Sequence, residues 1–353
     1  SSVLAQRGSA PAPPPSTVPL VVGLMTVSAV HEPDEGDYET IVKFNEVSAA
    51  AVGYTVSGNV DDRRYNVRRK MTRDDFAHAH SWRPRYNEGD PEMFAGTTGA
   101  TLSLDVLTEL KTKGRVTFKA RVAEDPVESL LGGLFGGAGG EVRKAMGDAG
   151  EAAMEPATLT RVEQGPVPIP MLVNDARVDL PAVHARGTLG NEPFEIYLLD
   201  NAAIPVLLRW NVGETSKRMV KISYPVERAT DPIEEKLNTV GRAEIYGIYF
   251  DFAKATIRPE SEPVLKEIAD VMAKNPAWKL SVEGHTDNIG TSSANLDLST
   301  RRAAAVRQAL VDRYKVAGAR LTPAGYGASR PKETNDTLEG RARNRRVELA
   351  RQP

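Results

Sequence analysis

The 353-residue chain contains no cysteine. Within these residues that excludes disulfides, thiolate metal centres and cysteine nucleophiles, and a lipid carried on an N-terminal cysteine is not expected. Aromatic residues make up only 6% of the chain, too few to suggest the girdles of a membrane barrel. No run approaches the roughly 18 apolar residues of a spanning helix. The most apolar stretch, Val18 to Val30, is interrupted by Gly23, Thr26 and Ser28 and suits a buried strand or a pair of strands. The sequence has no phosphate loop, no dinucleotide fingerprint and no Ser/His/Asp motif. The opening Ser1-Ser2-Val3-Leu4-Ala5-Gln6 has the small-then-polar pattern of a leader's tail, without the apolar core of a leader.

What the chain does have is the composition of a soluble globular protein, 41% hydrophobic and 26% charged, with length for two ordinary domains. Its net charge of −2 is unevenly divided. Residues from 241 onward carry 19 Lys/Arg against 14 Asp/Glu, and the preceding 240 carry 26 against 33. A mildly basic C-terminal part suits a carboxylate-bearing partner, and on charge alone it suits nucleic acid equally.

Four regions follow from the pattern. Residues 1–19 form a proline-rich lead that stays extended outside any core. Residues 20–228 read as a mostly antiparallel β domain. Arg115 to Val122, Phe194 to Leu199, Val206 to Val212 and Met219 to Tyr224 alternate with a period of two between turn residues, while Thr40 to Val47 and Leu102 to Leu110 are ambiguous. Within this domain, Leu130 to Gly140 holds six glycines in eleven residues, which predicts a flexible loop over 132–140. Glu141 to Met154 follows as a short helix. Residues 229–241 are a polar linker or short helix. In residues 242–353 strands alternate with helices: strand Ile245 to Phe250, helix Glu260 to Asn275, strand Trp278 to Glu283, helix Leu298 to Tyr314, strands Leu321 to Tyr326 and Arg346 to Ala350. The fold class expected is α+β, a β domain followed by a βαβαββ domain with helices on a mixed sheet.

Gly284-His285-Thr286-Asp287 follows a predicted strand directly, and Arg302 lies fifteen residues after the aspartate, one turn inside the next predicted helix. Ligands of such sheets gather at the carboxyl ends of strands. Gly284 and Gly290 permit a tight backbone path there, and a guanidinium pairs with carboxylate through two parallel hydrogen bonds. The residues alone allow two outcomes: Asp287 and Arg302 pair with each other, or they divide the opposite charges of a zwitterionic ligand.

The segment Ser281 to Gly290 with Asn295 to Ala303 resembles the signature of the OmpA-like peptidoglycan-binding domain. That module ends outer-membrane protein A, Pal lipoproteins and flagellar motor stators. Tyr249 to Ile257, Gly325 to Pro331 and Gly340 to Glu348 match further motifs of this family in order, so the resemblance covers about the last third of the chain. It implies that Asp287 holds the ammonium and Arg302 the carboxylate of diaminopimelate in a peptide stem. It also implies that Thr286 and Asn295 belong to the site, Asn295 ordering the loop, and that Ser299 helps start the helix. Phe250 and Asp251 are placed on the rim, and Asn344 and Arg345 on the far side. The function expected is non-enzymatic tethering of the β domain to the wall, in the periplasm and peripheral to the outer membrane. Peptidoglycan is the partner, an outer-membrane or periplasmic protein is a further partner of the β domain, and no nucleic acid, cofactor or metal is expected. The alternatives make the β domain an enzyme or ligand carrier localised by the C-terminal module, or an integral eight-stranded barrel.

Four other candidates carry less. His285 reads as a packing residue, and Glu283 with Asp287 does not have the placement of a glycosidase pair across a sugar. His78-Ala79-His80 has a chelating spacing but only Asp74 and Asp75 nearby. The basic run Arg63 to Lys70 is flanked by acids and reads as a solvated strand face.

Overall fold

The computed structural model describes residues 17–60, 63–84, 92–121, 154–226, 232–251 and 253–352. The predicted lead, the glycine-rich loop 132–140 and nearly all of the helix expected after it lie outside the described residues.

The N-terminal domain begins as a meander of β1 (Met25–Glu32), β2 (Gly36–Val47), β3 (Ala51–Val60) and β4 (Arg63–Thr72), followed by the short helix α1 (Arg73–His78) and β5 (Ser81–Trp82). Helix α2 (Leu104–Thr112) starts at Ser103, whose side chain accepts a hydrogen bond from the Val106 N–H, and buries Val106, Leu107 and Leu110 on one face. The strands continue as β6 (Arg115–Ala120), β7 (Glu155–Arg161), β8 (Val167–Val173), β9 (Ala176–Leu189), β10 (Glu192–Leu199), β11 (Leu207–Val212) and β12 (Thr215–Ser223). They form one sheet in the order β4-β3-β2-β1-β12-β11-β10-β9-β7-β6-β5, while β8 pairs with both β9 and β12.

That double pairing closes β8 to β12 into a ring. The long β9 permits it, because residues 176–182 pair with β8 while 182–189 pair with β10. On the far side, Lys221 and Ile222 of β12 run parallel to Leu172 and Val173 of β8. Ile169, Met171, Leu180, Leu208 and Ile222 share one core with Phe44, Tyr54 and Met71 of the meander. This pairing is not that of an integral eight-stranded barrel. The sheet has a packed interior, and its β1–β2–β12 region is covered by the second domain.

The C-terminal domain contains α3 (Pro232–Thr239), β13 (Arg242–Ile245), α4 (Glu262–Lys274), β14 (Leu280–Gly284), α5 (Ser292–Tyr314), β15 (Leu321–Gly325), α6 (Leu338–Asn344) and β16 (Val347–Arg351). The sheet order is β13-β16-β14-β15, with β14 and β15 parallel. Leu265, Ile268 and Met272 of α4 and Ala303, Val306 and Leu310 of α5 pack on Val282 and Leu349 of the sheet. Ile233 and Leu237 place α3, in the predicted linker, within this core.

Two boundaries differ from expectation. Residues 246–250 do not continue a strand beyond β13. The Tyr249 N–H donates to Ser261 Oγ over 2.8 Å and its carbonyl accepts from the Arg258 N–H over 2.9 Å, so the backbone is committed to the 258–261 turn. Helix α5 begins six residues before Leu298, at a cap where Thr291 Oγ1 accepts the Ala294 N–H over 3.2 Å. Its first two turns carry no apolar period, since the inward residue there is Asn295.

The domains meet through α6 and the β1–β2–β12 region. Val27, Ala29, Ile41 and Val220 pack with Tyr249 and Ala342. Around this apolar patch lie Asp37 with Arg341, Glu39 with Arg345, Arg177 with Glu333, and Arg209 with Glu339.

Candidate functional site

The turn after β14 is set by close packing. A Cβ built on Gly284 would lie 2.2 Å from the Ser299 carbonyl oxygen, so only glycine lets the strand end this near α5. Gly325 in the neighbouring strand is pressed against Thr300 in the same way. Beyond Gly284 the chain enters a loop held from the helix. Asn295 Nδ2 donates to the carbonyls of Asp287 and Ile289 over 3.3 and 3.0 Å. Asp287 Oδ1 accepts the Ile289 N–H over 3.0 Å, which fixes its carboxylate.

Asp287 and Arg302 do not pair with each other. Both line one cavity of about 240 Å³, together with Phe250, Asp251, Thr286, Asn295 and Arg345. Arg302 lies in the third turn of α5 rather than the first. Its Nε donates to the Lys254 carbonyl over 3.0 Å, and its guanidinium sits 4.8 Å from the Phe250 ring centre. Among the described residues it has no carboxylate partner. Burial, and then the positive charge of Arg345, lower its pKa to about 10, which still leaves it charged near neutral pH. An under-compensated guanidinium facing a cavity is a receptor for an anion.

Asp287 is engaged from the other side. Arg345 Nη1 donates to Asp287 Oδ2 over 2.7 Å, while its Nη2 donates to Glu39 Oε1 over 2.5 Å. Although burial works against it, the two carboxylates hold this guanidinium firmly charged. Thr286 and Asp251 line the cavity, and the Thr286 hydroxyl and Asp251 Oδ1 are buried without a hydrogen-bond partner among the described residues. Such atoms are costly unless something polar meets them.

Asn344 lies elsewhere. It is fully buried, and its amide accepts the N–H groups of Lys332 and Glu333 and donates to the Glu333 carbonyl, ordering the loop before α6. It does not line the cavity. Ser299, inside α5, does not start the helix; it accepts the Gly327 N–H over 2.8 Å and so ties α5 to the end of β15.

Behind the turn is a second charged cluster. Glu283, His285 and Glu348 lie within 4.8 Å of one another. Arg242 bonds both carboxylates and Arg346 bonds Glu348. A cation would therefore find them already neutralised. Burial would raise the Glu348 pKa, but the hydrogen bonds from Arg242 and Arg346 override it and hold it at about 2. Burial, reinforced by Arg346, lowers His285 to about 4. Its ring stacks on Tyr326 at 5.5 Å, a packing role. Glu283 faces this cluster and Asp287 faces the cavity, so they do not form a catalytic pair. His78 and His80 also act separately, bonding Asp105 and Glu109 of α2.

The second wall of the cavity comes from the N-terminal domain and includes Asp37, Tyr38 and Glu39 of β2 and Lys221 of β12. Sequence reasoning missed these residues. A faint signal existed: as a strand, β2 puts Asp37 and Glu39 on the same face as the buried Ile41, two acids leading up to an apolar position.

The OmpA family model matches residues 249–345. The peptidoglycan-associated lipoprotein of Rhizobium meliloti is 30% identical over 178 residues, covering 49% of this chain and 94% of that protein. The chain belongs to the OmpA family. Outer membrane porin F of Pseudomonas aeruginosa is 50% identical over 101 residues, 29% of this chain and 29% of the porin. Among solved structures, the peptidoglycan-associated lipoprotein of Burkholderia pseudomallei is 31% identical over 30% of this chain and 88% of its own, with a TM-score of 0.28. The chain spans only 29%, 31% and 33% of the first three curated relatives it matches. The family match leaves the first 248 residues outside it. No helix of the described residues is long and apolar enough to cross a membrane.

Proposed function

We propose that the C-terminal domain binds peptidoglycan non-covalently by taking the zwitterionic head of diaminopimelate between Asp287 and Arg302. The observation that carries this is their placement on one cavity with Arg302 lacking a carboxylate partner among the described residues. The ligand carboxylate meets the Arg302 guanidinium, and the ammonium shares Asp287 Oδ2 with Arg345. Thr286 and Asp251, on the same lining, supply further polar groups. Asn295 positions the loop and Phe250 supports the guanidinium. A cavity of about 240 Å³ suits an amino-acid head rather than a glycan segment.

The role is tethering rather than catalysis. Relatives named as peptidoglycan-associated and outer-membrane proteins support a place in the cell envelope, in the periplasm and against the wall. The N-terminal β domain is then the part held there, open to an outer-membrane or periplasmic protein. Pulldown of the full chain with purified sacculi tests the assignment. Asp287→Ala and Arg302→Ala should each lose most of the retained protein, consistent with about 2–5 kcal/mol per buried charge contact. Retention equal to wild type would overturn it.

A further inference from the structure

Arg345 is bonded to two carboxylates, one from each domain. Against Asp287 alone, its charge would leave an incoming ammonium no net attraction. Glu39 changes that balance: the trio Asp287, Glu39 and Arg345 carries a net charge of −1, and Arg302 across the cavity carries +1. We propose that Glu39, on the N-terminal domain, is a specificity-determining residue of the stem-binding site, because it supplies the negative charge that admits an ammonium group. The inference rests on the function proposed above and extends its site into the second domain.

The surrounding charges support the assignment of the surplus to Glu39. Asp37 is matched by Arg341, Lys221 by Asp175, and Arg258 by Glu260, while Arg343 shares Glu333 with Arg177. Asp251 adds a carboxylate from the loop whose Lys254 carbonyl anchors Arg302, on the other wall. Glu39 is also held in place rather than free to swing. It lies in β2 opposite Ala29 of β1, and its Oε1 takes two hydrogen bonds from Arg345 at 3.1 and 2.5 Å. The spacing is complementary as well. Positions two apart on a strand are separated by about 6.6 Å, and positions four apart on a helix rise about 6 Å. Asp37 and Glu39 therefore meet Arg341 and Arg345 in register, and Ile41 and Ala342 belong to the apolar cluster beside them.

Calorimetric titration of the full chain tests this with two probes. One is a stem tripeptide ending in meso-diaminopimelate; the other has 2-aminopimelate in its place, which keeps the distal carboxylate and lacks the distal ammonium. Glu39→Gln should weaken the first by about tenfold or more while leaving the second unchanged or tighter, so that discrimination falls. Glu339→Gln releases Arg209 and Arg218 at the same domain contact without lining the cavity, and should alter neither. Unchanged or tighter diaminopimelate binding by Glu39→Gln would overturn the inference. So would an equal loss in Glu339→Gln, since that would make Glu39 a docking residue only. A wild-type chain that binds neither sacculi nor tripeptide would overturn the proposed function and this inference together. Wild-type binding with an unaffected Glu39→Gln would overturn the inference alone.

Discussion

Asp287 and Arg302, which share one cavity, were singled out in the sequence because the turn, the spacing and four ordered motifs all converge on them. What the sequence withheld was the second partner of Arg345. Arg345 matches a family position, but its second partner, Glu39, lies 306 residues away in a strand of ordinary composition. No local pattern links the two. His285 and Glu348 carry a residue-scale prediction. Both have folded-state pKa values below their ordinary ones, about 4 against 6.5 and about 2 against 4.5. The unfolded chain therefore binds protons that the folded chain resists. Stability is fully present above pH 6.5, begins to fall as His285 becomes protonated in the unfolded state, and falls further from 4.5 toward 2 as Glu348 follows. Chemical denaturation across this range should show the decline, with the upper limb reduced in His285→Gln. A flat profile between pH 6.5 and 4 would contradict the burial of a neutral imidazole.

At the scale of elements, periodicity located β6, β10, β11, β12, β14, β15 and β16 and both long helices of the C-terminal domain. It failed where polar residues face inward. The start of α5 was missed because Asn295, not an apolar side chain, points to the interior and bonds the loop after β14. The strand expected over 245–250 was over-read because its alternation continues past β13, while the Tyr249 backbone is claimed by the Ser261 turn. Close contact between β14 and α5 rests on Gly284. Gly284→Ala would force a methyl group against the Ser299 carbonyl and separate the strand end from the helix. Overpacking of this kind costs about 1–3 kcal/mol, and here the shift should also displace Asp287. Urea unfolding should show the loss, and a variant as stable as wild type would mean the backbone gives way freely.

At the scale of the whole molecule, the α+β class was legible, and the closure of the first sheet was not. Ring formation depends on two parallel pairs between β8 and β12 and on β9 serving three neighbours, neither of which alternation encodes. The docking of the domains was equally hidden, since it depends on which strand face meets α6. Its consequence is functional: the site proposed for the wall ligand has one wall from each domain, with an anion receptor in Arg302 and a net-negative trio opposite. The most direct measurement compares binding of two stem tripeptides to the full chain, one ending in meso-diaminopimelate and one in lysine, which has the distal ammonium but no distal carboxylate. The account predicts that the lysine stem binds at least about 30-fold more weakly, the loss of one charge-assisted contact worth about 2 kcal/mol or more. Equal affinity for the two stems would contradict it.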